Sequence, residues 1–296
     1  MISENIRTIP AEEFPLLLGK SIYRPKTLYA IGRLPATGGD CGVALVGTRR
    51  PGPNARELCR RLVASLKGTD AVVVSGLAQG IDSLCHEAAL DARIPTVAVL
   101  AQGLATRIEG SRGDLARRIL DAGGALISIF EPDEPAYKGN FIARNKIISG
   151  LCRATVVVQS KVKGGALITA DFCRDEGKQL LAVPGDFDSE VASGTNSLLD
   201  SRKALPVFLP ESLCTELGLP KQNGLSLNSL AQCGCSLSPE ATEFFKKMNG
   251  YRKSFSELEE AGTFNTSQLL TILTELEIAG LVHTEDNIQF QFNGAV

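Results

Sequence analysis

Short apolar runs, each closed by a glycine-rich or polar turn, constrain this chain more than any other feature. Val43-Ala44-Leu45-Val46 runs into Gly47-Thr48-Arg49, and Val72-Val73-Val74 into Ser75-Gly76-Leu77-Ala78-Gln79-Gly80-Ile81-Asp82. Val156-Val157-Val158 leads through Gln159-Ser160 to Lys163-Gly164-Gly165, and Leu181-Ala182-Val183 runs into Pro184-Gly185-Asp186. A fifth turn, read as another strand end, is Ser193-Gly194-Thr195-Asn196. Short apolar runs bounded by turn signals read as buried strands. Turns repeated at successive strand ends line one rim with exposed backbone N–H groups. In an open parallel sheet that rim lies at the carboxyl ends of the strands, where ligands bind. Glycine allows close approach to a phosphate, and helix N-termini favour anions. The first expectation is a phosphate-bearing ligand.

Between these runs the sequence switches to helical spacing, as in residues 54–67, where Leu58, Leu62, Val63 and Leu66 alternate with Arg56, Arg60 and Arg61. Helices are also read over 81–92, 115–122 and 166–176, and strands over 96–100, 125–130 and 154–159. Strand–helix alternation predicts a doubly wound, mainly parallel α/β sheet covered on both faces. Residues 1–40, which hold Pro10, Pro15, Pro25, Pro35 and Gly38-Gly39, read as an extended lead-in. The sheet domain is placed at 41–210 and a polar linker at 211–238. Residues 239–296 give three helices and a hairpin around Asp286-Asn287, the third helix being ended by Gly280. That is the outline of a winged helix. Its third helix carries Glu275 and Glu277 and no Lys or Arg, which argues against groove binding, because phosphate neutralisation needs cations.

With 296 residues, 44% hydrophobic and 22% charged, the chain fits a two-domain globular protein. Its net charge of −2 excludes a protein that coats nucleic acid through a global positive field; anion binding must come from a local patch. The eight cysteines are scattered, most of them in apolar runs, and behave as small core residues. Cys233-Gly234-Cys235 has no second pair at zinc-ligand spacing, so neither a metal nor a cofactor is expected. Met1-Ile2-Ser3-Glu4-Asn5 lacks the basic start of a secretory leader, and no apolar run spans a bilayer. A reducing cytoplasm is the expected setting, with no membrane contact.

The candidate ligand contacts gather on the rim. Gly47-Thr48-Arg49-Arg50 is either a phosphate turn with two guanidiniums or a plain strand-to-helix turn with solvated arginines. It fits neither a G-x-G-x-x-G nor a P-loop pattern, which disfavours dinucleotide and ATP chemistry. Ser75, Gly76, Gln79 and Gly80 form the second turn. Asp82 either caps the following helix or orients a rim loop, and Asp82 with His86 four residues on reads as a structural pair, since no nucleophile elbow is present. Lys138, Phe141, Arg144, Asn145 and Lys146 interleave cations, an amide and a ring before an apolar helix, either a mixture suited to a single strand or a solvated helix start. Lys163, Gly164 and Gly165, with Asn196 in a further turn, are either anion nests or glycine turns that only permit tight bends.

In order, Gly47-Thr48-Arg49, Ser75-Gly76-x-Ala78-x-Gly80-Ile81-Asp82, Arg144-Asn145-Lys146-Ile147-Ile148, Gly164-x-x-Leu167-Ile168-Thr169-Ala170, Ala182-Val183-Pro184-Gly185 and Gly194-Thr195-Asn196-x-Leu198 resemble the DNA-processing protein A family, also called Smf. The resemblance covers roughly residues 14–209, and the tail resembles the winged helix of many members. It implies an extended Rossmann-like fold and a homodimer that binds single-stranded DNA, protects it and loads a RecA-type recombinase in natural transformation, with no bond made or broken. By the same resemblance the DNA crosses a basic pocket at Arg49, with Arg144, Asn145 and Lys163 nearby. Three departures stand out: there is almost no room for an N-terminal sterile-alpha-motif domain, Gln159 replaces an expected Glu, and Lys163-Gly164-Gly165 replaces Ser-Gly-Ser.

Two other functions stay open. A phosphoribohydrolase of the same superfamily would use a Glu at the reacting bond, and only Asp171, in a shifted frame, falls at that spacing. A nucleotide sensor would bind a small ligand at the rim and relay the signal through the winged helix.

Overall fold

Seven parallel strands, joined through helices, build the centre of the first unit. The computed structural model describes residues 5–34, 41–219, 237–248, 252–260, 264–278, 282–285 and 289–292. Cys233, Cys235, Gly280, the Asp286-Asn287 turn and Gly38-Gly39 lie outside them. The chain divides into two units, residues 1–219 and 220–296.

In the first unit a nine-stranded sheet has the order β1-β2-β6-β5-β4-β3-β7-β8-β9. Its strands are β1 (Arg7–Ile9), β2 (Leu28–Gly32), β3 (Gly42–Gly47), β4 (Val72–Ser75), β5 (Thr96–Val99), β6 (Ala125–Ser128), β7 (Ala154–Gln159), β8 (Gln179–Ala182) and β9 (Leu205–Pro206). The helices are α1 (Leu16–Lys20), α2 (Ala55–Ser65), α3 (Ile81–Asp91), α4 (Gly110–Asp121), α5 (Lys138–Leu151), α6 (Gly165–Asp175), α7 (Ser193–Asp200) and α8 (Leu213–Glu216). From β6 across to β9 every pairing is parallel. Strand side chains alternate between two cores, as the pleat requires. Val43 and Leu45 enter the core that holds Cys59, Leu62 and Val63 of α2, while Ala44 and Val46 enter the core that holds Ile147 and Ile148 of α5. A strand buried on both faces reads as a continuous apolar run, which is why these strands were visible.

Within the expected lead-in of residues 1–40, residues 5–34 join the sheet domain rather than extending from it. β1 pairs antiparallel with β2, which pairs antiparallel with β6 and so extends the sheet. Tyr23 packs edge-on against Phe172 at 5.0 Å and donates its hydroxyl to Asp175 at 2.8 Å, docking the segment on α6. Burial and this carboxylate push the Tyr23 pKa up to about 12. At the other end of the unit Leu213, Cys214, Leu217 and Leu219 are buried against the sheet. Three further boundaries differ from expectation. α4 begins at Gly110 rather than 115, Phe141–Lys146 lie inside α5 rather than before it, and Ser193–Asn196 open α7 rather than end a strand.

The second unit holds helices Pro239–Met248, Phe255–Glu260 and Thr266–Ile278 and a sheet of order β10-β12-β11, with β10 (Arg252–Ser254), β11 (Val282–Glu285) and β12 (Gln289–Phe292). This is the winged-helix outline with one strand, β10, that the sequence pattern does not reveal. Phe244, Phe245, Leu258, Leu269, Leu273 and Leu276 form its core. Glu275 accepts from the Ser238 N–H at 2.5 Å and hydroxyl at 2.7 Å, so this carboxylate ties the third helix to the start of the first.

His86 pairs with Thr96, not with Asp82. The Thr96 hydroxyl donates to Val73 O at 2.8 Å, so His86 Nδ1–H is the donor to Thr96 Oγ1 at 2.7 Å, and buried Nε2 has no partner among the described residues. Burial, and then the charge of Arg144, depress the His86 pKa from 6.5 to about 3. A histidine whose folded pKa is depressed stabilises the fold above its unfolded pKa and loses that contribution as pH falls. The loss runs at about 1.4 kcal/mol per pH unit between the unfolded and folded values. Urea unfolding of wild type and His86→Gln between pH 7 and 4 is expected to show that slope in the stability difference; a flat difference contradicts the buried neutral imidazole.

Candidate functional site

The order in which strands are added reverses at β3. From there the chain steps outward through β4, β5 and β6, then returns to the other side of β3 for β7 and β8. Such a switch point leaves a crevice at the carboxyl ends of the two central strands. Here it is a cleft of about 360 Å³. Gly47, Thr48 and Arg49 enter it from β3, and Lys161, Lys163, Gly164 and Gly165 from the turn between β7 and α6. The third wall is one face of α5, with Phe141, Arg144, Asn145 and Ile148 at i, i+3, i+4 and i+7.

The rim turns are held by backbone contacts. Thr48 N–H donates to Gln159 O at 2.8 Å and Ile81 N–H to Thr48 O at 3.1 Å. Gln159 Oε1 accepts from Gly52 N–H at 3.0 Å, so a neutral side chain fastens the Arg49 loop without adding a negative charge. Gly80 has φ +93°, and a Cβ there would press on the backbone of Thr48 and Arg49. Only glycine lets the two turns touch.

Arg144 is 4% exposed. Its guanidinium donates to Gly76 O and, at 2.8 Å, to Val99 O, bridging the tips of β4 and β5. Buried Asp82 is its carboxylate counterpart. Burial raises the Asp82 pKa, and the Arg144 charge pulls it back; burial likewise lowers Arg144 to about 10, which leaves it protonated at neutral pH. Gly76 sits between them: a Cβ there would overlap the Arg144 guanidinium and lie 2.7 Å from Asp82 Oδ2. Asp82 is therefore not a simple helix cap, and Arg144 orients the rim rather than facing solvent.

The accessible cations are Arg49, Lys161 and Lys163. The exposed Arg49 guanidinium stacks on the Phe141 ring at 4.8 Å, an arrangement worth about 0.5–1 kcal/mol. Phe141 and the guanidinium on it make a flat platform of the kind bases stack on. Lys163 is exposed and has no carboxylate partner among the described residues. Lys161, absent from the sequence-derived candidates, pairs with Glu190 at 2.5 Å, but both groups are largely exposed and such a bridge holds a cation by only about 0–1 kcal/mol.

Several candidates fall elsewhere. Ser75 is fully buried and donates to Leu45 O at 2.6 Å. Lys146 lies over Tyr23 and Phe172, at 5.1 and 5.5 Å, on the far side of α5. Asn196 accepts from Gly185 N–H at 3.1 Å and donates to Gly185 O at 3.0 Å, closing the turn after β8. Gly76 and Gln79 line a neighbouring cavity rather than the cleft. Arg50 and Lys138 are exposed and line neither. Asp171, the carboxylate a hydrolase would need, is paired with Arg174 at 3.6 Å on the outer side of α6 and does not line the cleft. No cluster of three or more metal-ligating side chains occurs among the described residues, and no helix there is long and apolar enough to cross a membrane.

A family profile described as DNA recombination-mediator protein A matches residues 5–218. The chain belongs to that family. Among curated relatives it is 35% identical over 216 residues to protein Smf of Escherichia coli, covering 72% of this chain and 57% of that one. It is 33% identical to DNA processing protein DprA of Bacillus subtilis, covering 74% and 73%. The match thus spans little more than half the length of the Escherichia coli relative. Among solved structures it is similar to DNA processing protein A of Streptococcus pneumoniae, with TM-score 0.64, 27% identity and coverage of 73% and 75%. It is also similar to that of Helicobacter pylori, with TM-score 0.65, 28% identity and coverage of 73% and 98%; that structure was described for its single-stranded DNA binding mode. The family motifs read from the sequence fall mostly on the rim turns and on α5, which wall the cleft.

Arg144→Ala removes the donor to two buried carbonyls at the strand tips. It is expected to cost about 2–5 kcal/mol in urea unfolding. A loss below about 1 kcal/mol contradicts a buried, orienting Arg144.

Proposed function

We propose that this chain binds single-stranded DNA in the cleft between β3, α5 and α6 and acts as a recombination mediator. The observation that carries this is the pairing of the Phe141–Arg49 platform with the cations Lys161 and Lys163 at the switch point of the sheet. Stacking tolerates any base, and the cations follow the backbone. Membership of the DNA recombination-mediator family and similarity to the Helicobacter pylori protein support the same ligand.

The finer reading is that the protein works in the cytoplasm as a homodimer, protects incoming strands and loads a RecA-type recombinase during natural transformation, breaking no bond. One observation supports part of it. Leu205, Phe208 and Leu209 are exposed beside edge strand β9, where a second copy would cover them.

Removing a cation that neutralises one phosphate lowers the slope of log affinity against log salt by roughly 0.7 for a single strand. Arg49→Gln and Lys163→Gln are each expected to lower the slope by that amount in anisotropy titrations with oligo-dT. Wild-type slopes in both variants would remove them from the site. A chain ending at Leu219 retains the cleft and is expected to keep its oligo-dT affinity within a few-fold. Phe208→Asp is expected to shift the sedimentation coefficient toward the monomer; an unchanged value would place the dimer contact elsewhere.

A further inference from the structure

A second cavity, of about 200 Å³, lies on the other side of Phe141. Arg49, Phe141 and Arg144 are common to both cavities; Gln79, Gln102 and Arg112 belong to the second alone. Arg112 was absent from the sequence-derived candidates because Gly110-Ser111-Arg112-Gly113 reads as loop, whereas it forms the first turn of α4. Arg112 Nε donates to Leu77 O at 2.8 Å, and the guanidinium makes no other hydrogen bond among the described residues. Its terminal nitrogens are donors without acceptors. The amide nitrogen of Gln102 is spent on Thr106 O at 3.2 Å.

The charge count is unbalanced. Arg49, Arg112 and Arg144 interact electrostatically, against one carboxylate, Asp82. Burial and the neighbouring Arg49 charge both lower the Arg112 pKa, the sign expected of half-buried cations that repel. Buried charge is normally paired, and planar guanidiniums with open forks match phosphate oxygens.

We propose that the cavity lined by Arg112, Gln102 and Gln79 is a second phosphate subsite, so that a bound strand crosses the Phe141–Arg49 platform with phosphates on both sides. This rests on the single-strand reading above and extends the path from α6 toward α4. The phosphate has two sources with one chemistry, an internal phosphodiester or the terminal phosphate of the strand.

The test is the salt dependence of oligo-dT binding, with 5′-phosphate and with 5′-hydroxyl ends, for wild type, Lys163→Gln, Arg112→Gln and the charge-conserving Arg112→Lys. Thermal melting checks that the variants fold alike. Arg112→Gln is expected to lower the slope by roughly 0.7, as Lys163→Gln does, and Arg112→Lys to keep it. A loss with both kinds of end identifies an internal phosphodiester; a loss confined to 5′-phosphorylated strands identifies the terminal phosphate; both support the subsite. A wild-type slope in Arg112→Gln while Lys163→Gln loses its own overturns the subsite and leaves the main cleft standing. Equal losses in Arg112→Gln and Arg112→Lys mark the Leu77 hydrogen bond as structural and also overturn it. No oligo-dT binding by wild type overturns the single-strand reading itself, and the subsite with it.

Discussion

One buried guanidinium organises the rim. Arg144 reaches from α5 to the carbonyls of Gly76 and Val99, so a single side chain ties a helix to two strand tips, and its charge acts on buried Asp82 of α3. It needs Gly76, because a Cβ there would occupy the guanidinium's place. Its position on α5 also fixes its neighbours. Phe141 lies one turn earlier on the same face, and Asn145 follows beside it, donating to Gly165 O at 3.4 Å. Hydrogen bonds from a charged group to buried carbonyls are costly to lose, and these hold one wall of the cleft in place.

The cleft acquires its character from an imbalance of charge. Asp82 is buried and accepts from the Ala78 N–H, while Arg49 and Lys163 have no carboxylate partner among the described residues and Lys161 has only an exposed one. The chain as a whole carries −2, yet this rim is locally cationic. On the proposed reading, such a rim would draw a strand to one groove rather than to the whole surface, and base stacking would supply what charge alone does not.

Strand positions were legible because each doubly buried strand is a bare apolar run. The family motifs fall mostly on turns and a helix face around one cleft. What the sequence hid was direction. Phe141, Arg144 and Asn145 share a helix face, but Lys146 is about 200° around from Arg144 at 100° per residue, and so points to Tyr23 instead. Reading α5 as starting after Lys146 removed the periodicity that would have separated them. Arg144 and Lys163 looked equivalent as cations, although one is buried and orienting and the other exposed. β2 was missed because Pro25 and Lys26 precede a run of only four apolar residues, Leu28-Tyr29-Ala30-Ile31, whose partner β6 is nearly a hundred residues away. Pairing over that distance leaves no local signal.

The most direct test is a fluorescence-anisotropy titration of labelled poly-dT at low and moderate salt, with duplex DNA and mononucleotides as competitors. The account predicts tight, salt-sensitive binding that neither duplex nor mononucleotide displaces. Displacement by a mononucleotide at comparable concentration, or no binding at low salt, would contradict it and point to a small-nucleotide site at the same rim.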